Sequence, residues 1–366
     1  IQPKHTLGEN PYRFNWQTPI HLSKHNQDIL YIGGNKLHRS LNQGDTWETI
    51  SEDLTGGGRK GNVAYGTLTT IAESPFQFGL LYVGSDDGHV HISKNSGGSW
   101  ERISDSFPKE LWVSRVIASQ HKKERVYVTL NGYRWDDFTA YVYISDDYGI
   151  TWKNISTNIP TSPVNVIKED PVNPDLLYLG TDNGSYASLS RGAKWFPFSN
   201  GLTNVAVHDL VIQPEAKHLL LGTHGRSLYK ANIAPLQLVT NDFDTKQTHV
   251  FPISNIRKRT GWGSTWSKWL KPNTPEITIS YFSDGAKKST IDVYLADIKV
   301  NSFKVASENG FNEATFDVSF SEKGRKEYLS NNKEASSVAG QNGVYYLPKG
   351  KYTVKIGDAT ETFEVK

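Results

Sequence analysis

The stretch S-D-D-Y-G-I-T-W-K-N-I-S, Ser145–Ser156, decides how this chain reads, because it recurs. Ser40–Ser51 is S-L-N-Q-G-D-T-W-E-T-I-S, Ser93–Ser104 is S-K-N-S-G-G-S-W-E-R-I-S, and Ser188–Ser199 is the looser S-L-S-R-G-A-K-W-F-P-F-S. Each copy opens on serine (Ser40, Ser93, Ser145, Ser188), with Gly44, Gly97, Gly149 or Gly192 four residues later and Trp47, Trp100, Trp152 or Trp195 seven residues later. The tryptophans step by 53, 52 and 43 residues, the mark of one supersecondary unit used repeatedly. Asn42, Asn95, Asp147 and Ser190 occupy the position two after the serine. A short polar side chain there bonds the turn's own amides, and the glycine takes the positive φ that closes a hairpin. The tryptophan then returns a large apolar group to a core layer.

Two β-rich runs precede each copy. The inner runs are Leu30–Gly34, Leu81–Ser85, Val126–Leu130 and Leu177–Thr181. Four short strands in a period of about 40–50 residues predict β-propeller blades. The blades are expected over Pro19–Ile50, Tyr65–Ile103, Trp112–Ile155 and Val164–Phe198. A fifth unit starts at Val205 and has three strands but no Gly-x-x-Trp hairpin. Residues 1–19 read as an extended lead-in, Gly56–Asn62 as a flexible loop, and Asn131–Ala140 as a long insertion in blade three.

The hairpin pattern resembles the Asp-box, or BNR, repeat of sialidases, xyloglucanases and sortilin receptors. It departs from that repeat at the aspartate position, which only Asp147 fills with Asp. The wider text from Pro11 to Ile233 resembles one bacterial family of large sortilin-like BNR proteins, often labelled glycosyl hydrolases. The resemblance implies the C-terminal portion of a longer protein, with further blades supplied by an N-terminal half or a partner chain. A self-contained five-unit propeller is the competing expectation.

Beyond the repeats the chain reads as all-β throughout. Residues 1–233 are expected to form propeller blades, 234–275 a connector carrying Trp262, Trp266 and Trp269, and 276–366 an immunoglobulin-like β-sandwich. No helix of any length is expected, and Lys323–Gly343 reads as a mobile loop. The three tryptophans suit either packing between the domains or an exposed platform for sugar rings.

The net charge of +2 over 366 residues argues against a nucleic-acid partner or an anionic membrane surface. No apolar run is long enough to span a bilayer. Cysteine is absent, which rules out disulfides and thiolate metal sites. Methionine is also absent, so Ile1 reads as an internal start. No cofactor or metal is expected.

In a propeller the loops joining second to third strands lie on one face, and the Asp-box hairpins joining third to fourth strands lie on the other. The Asp-box residues therefore read as structural. The opposite face carries the candidates for chemistry. Asp86, Asp137 and Asp182 are candidate catalytic carboxylates, because glycoside hydrolysis generally needs two carboxyl groups about 5–10 Å apart. The same residues, with Asp87 and Asp136, equally suit tight turns. Arg134, Trp135, His224 and Arg226 are candidate ligand contacts. His208 and Asp209 are read as a pair, either orienting a general base or tying blades together. The arginine-containing motif that opens sialidase propellers is not present; Arg115, Arg134 and Arg226 are the arginines that could cluster, with nothing specific in the sequence to say that they do.

Two functions follow. One is an extracytoplasmic (periplasmic, cell-surface or secreted) module binding a protein, peptide or glycan. The other is a glycoside hydrolase resembling the xyloglucanases.

Overall fold

The computed structural model describes residues 2–60, 64–202, 204–240, 243–267 and 269–366. Ile1, and Gly61 and Asn62 of the glycine-rich loop, lie outside the described residues. The chain divides into two compact units: residues 1–195 with 202–238, and residues 196–201 with 239–366.

The first unit is a succession of antiparallel meanders. Blade one is β1 (Ile20–Leu22), β2 (Leu30–Gly33), β3 (Leu37–Ser40) and β4 (Glu48–Thr49). Blade two is β5 (Leu68–Glu73), β6 (Leu81–Ser85), β7 (Val90–Ser93) and β8 (Glu101–Arg102). Blade three is β9 (Trp112–Ala118), β10 (Val126–Gly132), β11 (Asp137–Ser145) and β12 (Lys153–Asn154). Blade four contributes β13 (Val164–Glu169), β14 (Leu177–Thr181) and β15 (Gly184–Ser188); β16 (Phe196–Pro197) follows in the second unit. The fifth unit is the three-stranded sheet β17 (Val207–Gln213), β18 (His218–Thr223) and β19 (Leu228–Asn232). Sequential four-stranded meanders, each packed on the next, are β-propeller blades.

The cores lie between blades. Tyr31 and Leu37 of blade one share a cluster with Leu81 and Val83 of blade two. Tyr82 and Val90 of blade two share one with Val113 and Val116 of blade three. Tyr127 of blade three joins Ile167 and Leu179 of blade four. These three tyrosines, and Tyr178 of blade four, are fully buried.

The hairpin geometry explains the repeat letter by letter. Ser40, Ser93, Ser145 and Ser188 each accept, on Oγ, the backbone N–H of the glycine four residues on, at 2.8–2.9 Å. The second polar position accepts the N–H four residues beyond it: Asn42 Oδ1 from Thr46, Asn95 Oδ1 from Ser99, Asp147 Oδ1 from Thr151 and Ser190 Oγ from Lys194. An acceptor oxygen is the requirement there, and a carboxylate is only one way to meet it. Gly97, Gly149 and Gly192 have φ of +91°, +88° and +82°, and a Cβ on any of them would collide with Ile50, Ile103 or Ile155 of the preceding blade. Glycine is therefore demanded twice over.

The second unit holds β20 (His249–Val250), β21 (Ile277–Ser283), β22 (Lys288–Leu295), β23 (Ile298–Ala306), β24 (Gly310–Phe316), β25 (Gly350–Ile356) and β26 (Ala359–Val365). The sheets β20-β21-β24 and β23-β22-β25-β26 share one core built around Ile279, Tyr281, Val293, Phe316, Val354 and Phe363. Trp262 joins that core, whereas Trp266 and Trp269 are exposed.

Among the described residues two α-helices form, α1 (Ala234–Gln237) and α2 (Glu322–Asn331). The second corrects the reading of Lys323–Gly343 as a loop and of the chain as free of helix. Ser321 Oγ caps it by accepting Gly324 N–H at 3.1 Å, and Glu322 pairs with Lys326 one turn on. Tyr328 anchors it against Phe320, with ring centroids 5.2 Å apart. A single half-buried aromatic in a polar stretch gives little periodicity to read.

Candidate functional site

The first strands of blades two to five share an irregularity. Pairing with the second strand skips one residue in each: Thr69, Ser114, Asn165 and His208. A β-bulge frees such a residue from the ladder and re-aims its side chain. All four bulged residues line one cavity of about 890 Å³. Of this polar set only His208 was among the sequence candidates. Its trace was present as a polar residue directly after an apolar one at the start of each first strand: Leu68-Thr69, Val113-Ser114, Val164-Asn165 and Val207-His208.

Loops joining second to third strands complete the wall. Blade three brings Asn131, Tyr133 and Arg134, blade four Asp182, and unit five His224; Trp16 of the lead-in and Trp112 add aromatic surface. No serine, glycine or tryptophan of the repeated hairpins lines the cavity. The Arg134 guanidinium lies 4.1 Å from the Trp112 ring centroid, a cation–π arrangement that holds the cation at the wall. Asn131 Nδ2 donates to Asn165 Oδ1, and Asn165 Nδ2 donates to Asp182 Oδ1, each at 2.8 Å. The His208 and His224 rings sit 5.4 Å apart.

The bulge at His208 makes it and Asp209 both line the cavity, against ordinary strand alternation. Their expected pairing is replaced by another. Asp209 Oδ1 instead accepts Arg115 Nη2 at 2.8 Å, joining unit five to blade three.

The other acids are placed differently. Asp86 is buried and accepts Gly66 N–H, Thr67 N–H, Thr67 Oγ1–H and Asn15 Nδ2–H, at 2.9, 2.9, 2.7 and 3.3 Å. Burial pushes its carboxyl up, partly opposed by these bonds. It does not line the cavity. Asp87 is likewise buried, accepting the Gly56 N–H at 2.7 Å. Asp136 terminates the short 3₁₀ turn Tyr133–Trp135 in the left-handed region, at φ 56°. Asp137 accepts Thr139 N–H at 3.0 Å and Tyr141 O–H at 2.8 Å. Desolvation pushes its carboxyl up, but those hydrogen bonds outweigh it and hold the group below the usual range. Only Asp182 of the three carboxylate candidates lines the cavity.

Of the candidate ligand contacts, Arg134 and His224 line the cavity, while Trp135 and Arg226 do not. Trp135 donates Nε1–H to Glu110 O at 2.8 Å and lies 5.2 Å from the Arg59 guanidinium, forming a separate rim patch. Arg226 is exposed.

A second, narrower cavity of about 170 Å³ is bordered by His21, Lys24, Glu73, Arg115, Lys168 and Glu169 among others. Desolvation lowers the pKa of His21, Lys24 and Lys168. Among the described residues no group of three or more His, Asp or Glu side chains is arranged to hold a metal ion. No described helix is long and apolar enough to cross a membrane.

No protein-family profile matches the chain, and no curated protein matches it. Solved structures do show likeness. An ancestral GH74 enzyme aligns with TM-score 0.47 and 14% identity, over 97% of this chain and 47% of that one. The GH74 xyloglucanase of Xanthomonas campestris aligns at 0.48 and 12%, over 96% and 55%. YCF48 bound to D1 peptide aligns at 0.41 and 14%, over 63% and 72%. The chain spans about half the length of the GH74 structures it aligns with.

Proposed function

We propose that this chain is part of an extracytoplasmic Asp-box propeller of the sortilin-like BNR kind, which binds a protein, peptide or glycan in the 890 Å³ cavity. The immunoglobulin-like sandwich is read as an accessory domain, and further blades come from an N-terminal half or a partner chain. The observation that carries the binding reading is the commitment of the acids. Asp86 and Asp137 are held by their own turns, and Asp209 is neutralised by Arg115, while the wall offers Trp112, Arg134 and the Asn131–Asn165 amide pair. Exposed aromatic faces with a few fixed amides and one cation favour recognition over proton transfer.

Screening glycan and peptide libraries against the protein tests this. Arg134→Ala is expected to weaken the best ligand about 10-fold, the loss of one cation contact of roughly 1–2 kcal/mol. An unchanged affinity, with Trp112→Ala also silent, would remove the cavity from the binding reading.

A second reading is favoured by one observation: Asp182 and Asp209 both line the cavity. If they form a hydrolytic pair, oligosaccharides with β-linked backbones will release reducing ends, and Asp182→Asn and Asp209→Asn will each abolish that release. No release by the unaltered protein leaves this reading without support.

A further inference from the structure

The strand registers make positions in different blades directly comparable. Leu220 of β18 occupies the place of Tyr31, Tyr82, Tyr127 and Tyr178, which are all 0% exposed; Leu220 is 39% exposed. Leu228 of β19 occupies the place of Leu37, Val90 and Ser185, which are at most 1% exposed; Leu228 is 75% exposed. In blades one to three this face receives the following blade.

The opposite flank of blade one shows the same contrast. Ile20 corresponds to Ile71, Val116, Ile167 and Leu210; the last three are at most 1% exposed and Ile71 is half-buried, yet Ile20 is 68% exposed. Leu22 beside it is 60% exposed. A third observation lies on the same blade. Trp100, Trp152 and Trp195 donate Nε1–H to the carbonyls of Ile50, Ile103 and Ile155, each three residues after the tryptophan of the preceding blade. Trp47 Nε1 is enclosed and has no acceptor.

We infer that the Leu220/Leu228 face of unit five and the Ile20/Leu22 flank of blade one are docking surfaces for four-stranded blades of this same repeat, carried on polypeptide outside these residues. The inference rests on the reading that further blades complete the propeller, and it states what they must bring. The interfaces within the unit fix the chemistry. The blade meeting blade one offers Trp47 a backbone carbonyl three residues after its own tryptophan. Leu22 stands where Glu73 and Glu169 accept a tyrosine hydroxyl in blades two and four, so it offers no acceptor to a tyrosine of that blade, as Ala118 offers none to Tyr82. The blade meeting unit five places apolar side chains over Leu220 and Leu228. Both junctions are dry and apolar, as expected where a contact replaces tyrosine–glutamate bonds with burial alone. Because Ile20 also borders the 890 Å³ cavity, an incoming blade becomes part of the ligand-binding wall.

The chain has no cysteine, so Leu228→Cys and Leu22→Cys each introduce a unique thiol at an exposed site. Maleimide labelling is measured on the protein as its cell produces it and on the isolated 366-residue chain. Both thiols are expected to react like a free thiol in the isolated chain and at least 100-fold more slowly in the cell-produced protein. Equal rates in the two preparations overturn the inference. Protection of the isolated chain that rises with its concentration, with a sedimentation mass twice that of the chain, also overturns it, since a second copy is then the occupant. Loss of ligand binding in the library screen with protection intact defeats the binding reading and leaves the docking surfaces standing.

Discussion

The contacts between blades are not equivalent. Glu73 of blade two accepts Ser23 Oγ–H at 2.6 Å and Tyr31 O–H at 3.2 Å from blade one. Glu169 of blade four repeats this toward blade three, accepting Ser119 Oγ–H, Gln120 N–H and Tyr127 O–H. Between blades two and three the arrangement is missing. Ala118 stands at the glutamate position, and the buried Tyr82 hydroxyl has no partner. The tyrosine is kept in all four blades, but the next blade's glutamate accepts its hydroxyl in two, Asp170 of its own blade accepts that of Tyr178 at 3.3 Å, and Tyr82 has no acceptor. Burial of the ring is therefore the common requirement, and the hydroxyl bond is an addition that some junctions carry.

This comparison can be broken by making the junctions alike. Glu73→Ala turns the contact between blades one and two into the kind found between two and three, and strands the Ser23 and Tyr31 hydroxyls. The expected loss is about 3 kcal/mol, read from the urea midpoint, with Glu169→Ala giving a similar loss. Equal stability of both variants and the parent would mean that burial alone sets these junctions.

Acid should separate the blades next. Blades one and two carry His38 and His91 where blades three and four carry Tyr143 and Tyr186. Burial pushes His38 and His91 down to about 4. Each is neutral when folded and protonates more readily when unfolded, so the unfolded chain binds more protons between the two pKa values. Stability is then complete above about pH 6.5 and falls as the pH drops toward 4, by at most about 1.4 kcal/mol per pH unit for each imidazole. His91→Tyr should flatten the midpoint-against-pH curve; an unchanged slope would exclude His91 as a source.

Smaller effects sharpen the contrast at single atoms. Trp100→Phe removes the bond to Ile50 O and is expected to cost about 1 kcal/mol more than Trp47→Phe, whose indole N–H bonds nothing. Tyr127→Phe should cost about 1 kcal/mol, and Tyr82→Phe less than about 0.5 kcal/mol. Equal costs within either pair would show that the missing partners are water in solution.

The blades were legible because their determinants are local. Serine, glycine and tryptophan at fixed offsets specify a hairpin whose bonds span at most four residues, so the repeat announces itself in one dimension. The substitutions at Asn42, Asn95 and Ser190 hid little, since each keeps an acceptor oxygen. The cavity was less legible because it is assembled from five units. Asp182, Arg134 and His224 were placed by loop position, but Asp86 could not be told from them until its bonds to Gly66 and Thr67 were seen. The Arg115–Asp209 pair spans 94 residues, which no spacing rule reaches. Helix α2 was missed because its cap, Ser321, precedes a run whose only apolar residues are Tyr328 and Leu329.

The bulged residues Thr69, Ser114, Asn165 and His208 leave the ladder while their neighbours stay in it. Changing one alters the cavity lining without touching the strand pairing inside the blade, but it does touch the neighbours: Thr69 and Ser114 donate to the Val113 and Val164 carbonyls of the next blade, and Asn165 bridges Asn131 and Asp182. A library randomised at these four codons would therefore vary the lining and the stitching between blades together, so that, on the binding role proposed above, specificity and stability would be read from the same set of clones.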